Sequence, residues 1–265
     1  MPGYRAAVPD LDPLISFRLD GRVAIVTGAS SGLGARFARV LSAAGSSVVL
    51  AARRVERLTD LAAELPDAHA VACDLARDDE RASLIDAALE RYGRVDVLVN
   101  NAGIDHTEPA VGEAVTDFRR EVEVNLVAPF ELARLVARSV IERGDEGSIV
   151  NVASIWALAG MGQIPDAGYA ASKGGLVSMT RELAAQWARR RVRVNALAPG
   201  WFRSEMTEGR MFGDERSEAW LRRRTPMGRG GTEHELDGAL LFLASPASSF
   251  VTGVVVPVDG GWTAT

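Results

Sequence analysis

Cysteine occurs once in the 265 residues, as Cys73, and histidine three times, at His69, His106 and His234. A single thiol excludes an intramolecular disulfide framework and a cysteine-based metal cluster. Its apolar neighbours Val71 and Ala72 make it a buried structural thiol. The histidines are scattered without ligand spacing, so no metal site is expected. The stretch Met1 to Asp20 lacks a long apolar run and carries three prolines and several charges. It fits neither a signal peptide nor a membrane span, and reads as an extension over residues 1–20 leading into a domain over 21–265 of a cytoplasmic protein. Clustered positive charge is also missing. The net charge is −5 and the pI is near 5.4, whereas nucleic acid or an anionic membrane would reward basic clusters. The arginines are instead interleaved with Asp and Glu, as on solvated helix faces.

Lysine is the scarcest charged residue. Of 30 basic residues only Lys173 is a lysine. A GC-rich genome explains a preference for arginine, but not why one position kept lysine. Such a position needs a compact ammonium, not a planar fork.

Hydrophobic residues at 47% and charged residues at 25% suit a compact globule with a sizeable core. Short β-branched runs predict strands at Val23–Thr27, Ser47–Ala51, Ala68–Ala72, Val95–Asn100, Ser148–Ala153, Arg193–Leu197 and Val254–Val258. They are continuous apolar runs, as expected of a parallel sheet covered on both faces. Between them, three- and four-residue spacing predicts helices at Leu33–Ala44, Arg81–Tyr92, Phe130–Arg143 and Ala171–Arg191. The alternation implies right-handed crossovers and one α/β domain, doubly wound and Rossmann-type, with a mostly parallel seven-stranded sheet and helices on both faces. Ligands bind such sheets at the carboxyl ends of the strands.

After the first strand comes Thr27-Gly28-Ala29-Ser30-Ser31-Gly32-Leu33-Gly34, then a helix. Glycines let the backbone turn tightly and approach a pyrophosphate at a helix N-terminus. The alternative is a plain glycine-rich turn, since the spacing is not that of the general dinucleotide fingerprint. After the second strand, Arg53 stands where an acidic residue would hold a ribose diol, and it can pair with a 2′-phosphate instead. Its bland alternative is a solvated residue at a helix start. Asp74-Leu75 follows the third strand, placed to touch an adenine, and Asn100-Asn101-Ala102-Gly103 follows the fourth.

Tyr169 and Lys173 are four residues apart, on one face of a predicted helix. A free tyrosine has a pKa of about 10, too high for proton exchange near neutrality, and a neighbouring ammonium favours the phenolate. Ser154 ends the fifth strand at the same sheet edge, where its hydroxyl can hold a developing alkoxide. Asn125 falls inside a helical pattern that does not favour it, so it reads as a kink or a buried hydrogen bond.

Gly28, Gly32 and Gly34, Asn100 to Gly103, Asn125, Ser154, Tyr169 with Lys173, and Pro199-Gly200 stand in the order and approximate spacing of the short-chain dehydrogenase/reductase family. The resemblance covers roughly residues 20 to 262. It implies a catalytic tetrad of Asn125, Ser154, Tyr169 and Lys173. Tyr169 would exchange the proton, Ser154 hold the substrate oxygen, Lys173 depress the tyrosine pKa and bind the nicotinamide ribose, and Asn125 hold a relay water. It implies cofactor contacts from Gly28, Ser30, Ser31, Gly32, Leu33, Gly34, Arg53, Asp74, Leu75, Asn101, Ala102, Gly103, Tyr169, Lys173, Pro199, Gly200, Phe202 and Ser204. NADP is the expected cofactor, with NAD the alternative. Ser204 replaces the threonine of many members, and Ser31 stands where some NADP-using members carry a basic residue.

Residues Trp201 to Thr225 read as a substrate lid, or else as packing against a neighbouring subunit. The main expectation is a ketone or 3-oxoacyl reductase acting on a small-molecule carbonyl or alcohol. The alternative is a sugar or sugar-acid dehydrogenase, since Asn195–Thr207 and Val251–Thr263 look like both groups. A non-catalytic NADP(H)-binding regulator would be free to lose the proton-transfer residues, and this chain keeps all four. The resemblance also implies a homotetramer, built on Val115–Arg143, Ala171–Arg191 and the C-terminal strand with Trp262.

Overall fold

Seven runs rich in valine and alanine become β1 (Val23–Thr27), β2 (Ser47–Ala52), β3 (Ala68–Ala72), β4 (Val97–Asn100), β5 (Gly147–Val152), β6 (Val192–Pro199) and β7 (Val255–Val258). These belong to a computed structural model that describes residues 12–209 and 211–265. Residues 1–11 of the predicted extension lie outside the described residues. Within the remainder, Leu19 is buried in the core.

The strands form one sheet in the order β3-β2-β1-β4-β5-β6-β7, and every pairing is parallel. Every residue of β1, β4 and β5 is buried, which is why these strands are mostly apolar on both faces. β6 is longer than predicted, because its register with β5 and then β7 carries pairing on to Pro199.

The helices are α1 (Gly32–Ala43), α2 (Val55–Glu64), α3 (Asp78–Tyr92), α4 (Val115–Val122), α5 (Ala128–Arg143), α6 (Ala167–Trp187), α7 (Glu215–Arg224) and α8 (Asp237–Ala244). Side chains alternate across a strand, so each strand feeds two cores. On one face Phe37 and Leu41 of α1 and Leu240 of α8 pack against Val26, Leu50 and Val150. On the other, Leu84 of α3, Leu132 of α5 and Leu183 of α6 pack against Ile25, Val49 and Ile149. No helix among the described residues is long and apolar enough to cross a membrane.

The predicted helix over Val115–Arg143 is interrupted. Residues Glu123–Val127 form a π turn between α4 and α5, and the Ala128 N–H bonds back to the Glu123 carbonyl. Such a turn rotates the helix locally and recurs at functional sites. Strand order reverses between β1 and β4, leaving a crevice at their carboxyl ends where ligands of such sheets bind.

Candidate active site

A cavity of about 570 Å³ follows that crevice, from the β1–α1 turn to the ends of β5 and β6. Every site residue predicted above lines it except Asn125.

The turn after β1 is built for close backbone approach. Gly28 has φ +67°, and a Cβ there would lie 2.9 Å from the Ala102 Cα. A Cβ on Gly34 would collide with the Gly28 carbonyl. Thr27 Oγ1 accepts the N–H groups of Asn101 and Ala102 at 3.0 and 3.1 Å, locking the β4 loop onto this turn. Ser31 is the N-cap of α1 but makes no side-chain cap bond. N–H groups of the first helical turn therefore remain for an anion in the cavity.

At the end of β2, Arg53 is exposed on the cavity wall. Its neighbour Arg54, which sequence reasoning did not single out, makes the contacts. Arg54 Nη2 donates to Ser30 Oγ at 3.0 Å and to Ser31 Oγ at 2.8 Å. It also pairs with Glu205 Oε2 at 2.9 Å. Hydrogen bonds from Arg54 and then Arg57 hold the Glu205 carboxyl down at about 2.

α6 begins where the Asp166 carboxylate accepts the Tyr169 N–H at 3.0 Å. Lys173 follows one turn later. Its Nζ donates to the Val152 carbonyl at 2.8 Å and stands 5.6 Å from the Tyr169 ring centroid. Burial pulls the ammonium down to about 8. Burial also pushes the Tyr169 phenol well above its ordinary value; a hydrogen bond with Ser154 opposes the rise, and Asp105, Asp166 and Glu121 add to it. Ser154, buried at the end of β5, accepts the Trp156 N–H at 3.3 Å.

Asn125 is fully buried in the π turn. Its Oδ1 accepts from the Ile104 N–H at 2.9 Å, and its Nδ2 donates to the Ile104 carbonyl at 2.8 Å and to Ser172 Oγ at 3.1 Å. The buried hydrogen bond is present, and the helical pattern is interrupted here by the π turn. Asn125 and Lys173 meet at Gly103, where a Cβ would stand 3.3 Å from Asn125 Oδ1 and 3.4 Å from Lys173 Nζ.

A second feature had no sequence signal. Glu121 of α4 is 1% exposed and Asp166 is 7% exposed. Glu121 Oε1 accepts the His106 N–H at 2.7 Å. Burial raises the Glu121 carboxyl, and the adjoining Asp166 charge raises it further. The Asp166 carboxyl rises too, chiefly through burial. Burial and the neighbouring carboxyl both favour the protonated form of Glu121.

Aromatic rings close the remaining wall. Trp156 meets Tyr169 edge-on at 5.8 Å and Trp201 at 5.1 Å. Trp201 and Phe202 of the predicted lid are buried, as are Met211 and Phe212. Trp262 is 7% exposed and lies 6.0 Å from Trp201. Cys73 is buried as expected, and burial lifts its thiol to about 12.

A doubly wound sheet with a glycine turn, a basic corner at the end of β2 and a Tyr–Lys pair on the cavity wall is the arrangement of a nicotinamide-dependent oxidoreductase. The model of the family described as enoyl-(acyl carrier protein) reductase matches residues 28–263. Gluconate 5-dehydrogenase of Gluconobacter oxydans is 42% identical over 263 residues, covering 96% of this chain and 98% of that one. The 3-oxoacyl-[acyl-carrier-protein] reductase of Thermotoga maritima is 36% identical over 248 residues, covering 92% and 98%. A crystal structure of gluconate 5-dehydrogenase from Burkholderia cenocepacia, in complex with NADP and tartrate, superposes with a TM-score of 0.90 at 38% identity, covering 96% of this chain and all of that one. The chain belongs to the short-chain dehydrogenase/reductase family and is an NAD(P)-dependent oxidoreductase.

Proposed function

We propose that the protein moves a hydride between NADP(H) and a secondary alcohol or ketone on a sugar-acid chain, with Tyr169 as the acid/base. The observation that carries this is the meeting of Ser154, Tyr169 and Lys173 on the wall of the cavity that also holds the glycine turn and Arg54. The donors present fit the dinucleotide. Open N–H groups at the start of α1 suit a pyrophosphate, and Arg53 and Arg54 with Ser30 and Ser31 suit a 2′-phosphate. Asp74 and Leu75 would flank the adenine; Asn101 to Gly103, Pro199, Gly200, Phe202 and Ser204 would flank the nicotinamide half.

When bound, the nicotinamide supplies or accepts the hydride. The protein's own groups handle the proton. Ser154 Oγ hydrogen-bonds the substrate oxygen and stabilises charge developing on it. The Tyr169 phenol, protonated in the protein alone, is ready to donate to a forming alkoxide. Taking a proton from an alcohol requires the phenolate, which the Lys173 ammonium and the charge of an oxidised nicotinamide both favour. Lys173, anchored on the Val152 carbonyl, keeps further N–H groups for a ribose hydroxyl. Asn125 positions the residue 104 backbone beneath these groups; the relay water that the family resemblance implies would sit beside it.

The sugar-acid substrate, not the 3-oxoacyl substrate first expected, is favoured by the gluconate 5-dehydrogenases among the relatives. The substrate end of the cavity supports it: exposed Arg120 can pair with a carboxylate, and Asp105 and Asp166 can accept from hydroxyls. The Trp156, Trp201 and Met211 wall supports a second reading, a ketone with an apolar substituent. Following the reduced-nicotinamide absorbance with both cofactors against aldonates, their keto acids, aryl ketones and a 3-oxoacyl thioester decides between them. Turnover of aryl ketones or the thioester but of no sugar acid would reject the sugar-acid reading.

A further inference from the structure

Glu205 lies 151 residues along the chain from Arg54, in the segment that follows β6. Its carboxylate is divided between two guanidinium groups: Oε2 accepts from Arg54 at 2.9 Å and Oε1 from Arg57 at 2.5 Å. The same Arg54 nitrogen donates to Ser30 and Ser31. Two guanidinium groups and two hydroxyls gathered at one place form a receptor for an oxyanion. Ser30, Ser31 and Arg54 stand on the loops after β1 and β2, where a doubly wound sheet receives the adenosine ribose. The receptor already holds an anion supplied by the protein.

That anion is replaceable. The Arg54, Arg57 and Glu205 side chains are 44%, 50% and 53% exposed, and exposed ion pairs exchange partners at little cost. A carboxylate carries one negative charge on two oxygens, whereas a phosphate monoester carries between one and two on three, and it pairs with arginine more strongly.

We propose that Glu205 is a tethered competitor of the cofactor's 2′-phosphate. Its carboxylate occupies Arg54 and Arg57 in the cofactor-free protein, must leave when a 2′-phosphorylated ribose binds, and thereby narrows the margin by which NADP(H) is preferred over NAD(H). An unphosphorylated ribose leaves the Arg54–Glu205 pair in place, so NAD(H) binding escapes the competition. The inference rests on the NADP(H) reading above and extends it from the receptor to a residue that opposes it. No motif marks Glu205; only the fold brings it to the ribose corner.

Adenosine 2′,5′-bisphosphate and adenosine 5′-monophosphate report on the 2′-phosphate without nicotinamide or turnover. Their affinities are measured by calorimetry on the wild type, Glu205→Gln and Arg54→Ala, with thermal melts confirming that each variant is folded. Glu205→Gln is expected to bind the bisphosphate roughly 3- to 10-fold more tightly, with the monophosphate unchanged within about twofold. Arg54→Ala should lose most of the preference for the bisphosphate. If Arg54→Ala behaves so while Glu205→Gln leaves the bisphosphate unchanged, weakens it, or tightens both nucleotides equally, the competition is wrong and the NADP(H) reading survives. If the wild type binds both nucleotides alike and Arg54→Ala alters neither, the NADP(H) reading has failed and the competition with it.

Discussion

Gly168 lies against Glu121 so closely that a Cβ on it would collide with Glu121 Oε2, and it would also come within 2.9 Å of Glu113 Oε1. The contact joins α4 to the first turn of α6, one residue before Tyr169. Glycine is required here for space, since its φ is not in the left-handed region. Gly168→Ala should destabilise the fold by about 1–3 kcal/mol through overpacking and lower kcat by displacing the phenol. Glu121→Ala makes room, so the double variant should be more stable than the two single losses predict. A double-mutant cycle by denaturant unfolding measures this coupling, and simple additivity would contradict the contact.

The Glu121–Asp166 pair sets a pH dependence of stability. The Glu121 carboxyl is raised from its ordinary value near 4.5 to about 8 in the folded chain. Between these values the folded state binds more protons than the unfolded one, so stability falls as pH rises. The contribution is fully present below the ordinary carboxylate range and is lost on passing through about 8. Glu121→Gln removes the titrating proton and should flatten the decline between about pH 4.5 and 8, the window bounded by the ordinary and the raised value. Thermal melts across that window check it, and a wild-type Tm that does not fall would refute the raised Glu121 carboxyl.

Tyr169→Phe removes the phenolic hydroxyl, and with it the transferable proton and the hydrogen bond with Ser154. We expect NADP(H) binding to persist while kcat drops roughly 100- to 10,000-fold, the usual contribution of a general acid/base. Retention of about a tenth of wild-type kcat in stopped assays would reject Tyr169 in that role.

Lys173 and the α-amino group are the only amines in this chain, so an amine-selective reagent has a single internal target. Lys173 is 3% exposed, and its ammonium is held at about 8, so labelling should be slow and quicken as pH rises toward 8. Bound cofactor should shield it. Lys173→Arg, which swaps a compact ammonium for a larger planar group, should lose most activity. Peptide mapping of labelled protein with and without NADP(H) decides; free labelling in the presence of cofactor, with activity retained, would overturn the assignment.

A homotetramer is proposed on the family resemblance, with α4 and α5 as one contact. Val115 of α4, Val127 of the π turn and Phe130 of α5 are 61%, 38% and 43% exposed. Phe130→Arg should break that contact, and sedimentation should then report a species smaller than the wild type. A wild-type monomer at micromolar concentration would end the proposal.

Five strands match their predicted bounds to within one residue at each end, because buried parallel strands must be largely apolar and turn residues stop them. The glycine turn, Ser154, Tyr169 and Lys173 were legible for a related reason: each depends on local backbone or helical spacing, which neighbouring residues encode. Arg53 and Arg54 both line the cavity, and that Arg54 makes the contacts with Ser30 and Ser31 depends on how the start of α2 is rotated.

The sequence alone determined the strand–helix alternation, the sheet edge that bears the site and the pair Tyr169–Lys173, all through the periodicity of burial and short-range spacing. Tertiary structure alone decided that the helix over Val115–Arg143 breaks at a π turn, that Glu121 meets Asp166 across two helices, and that Glu205 reaches Arg54. These are pairings between side chains far apart in the chain. Their partners are chosen by crossover geometry and helix rotation, which no local pattern of residues records.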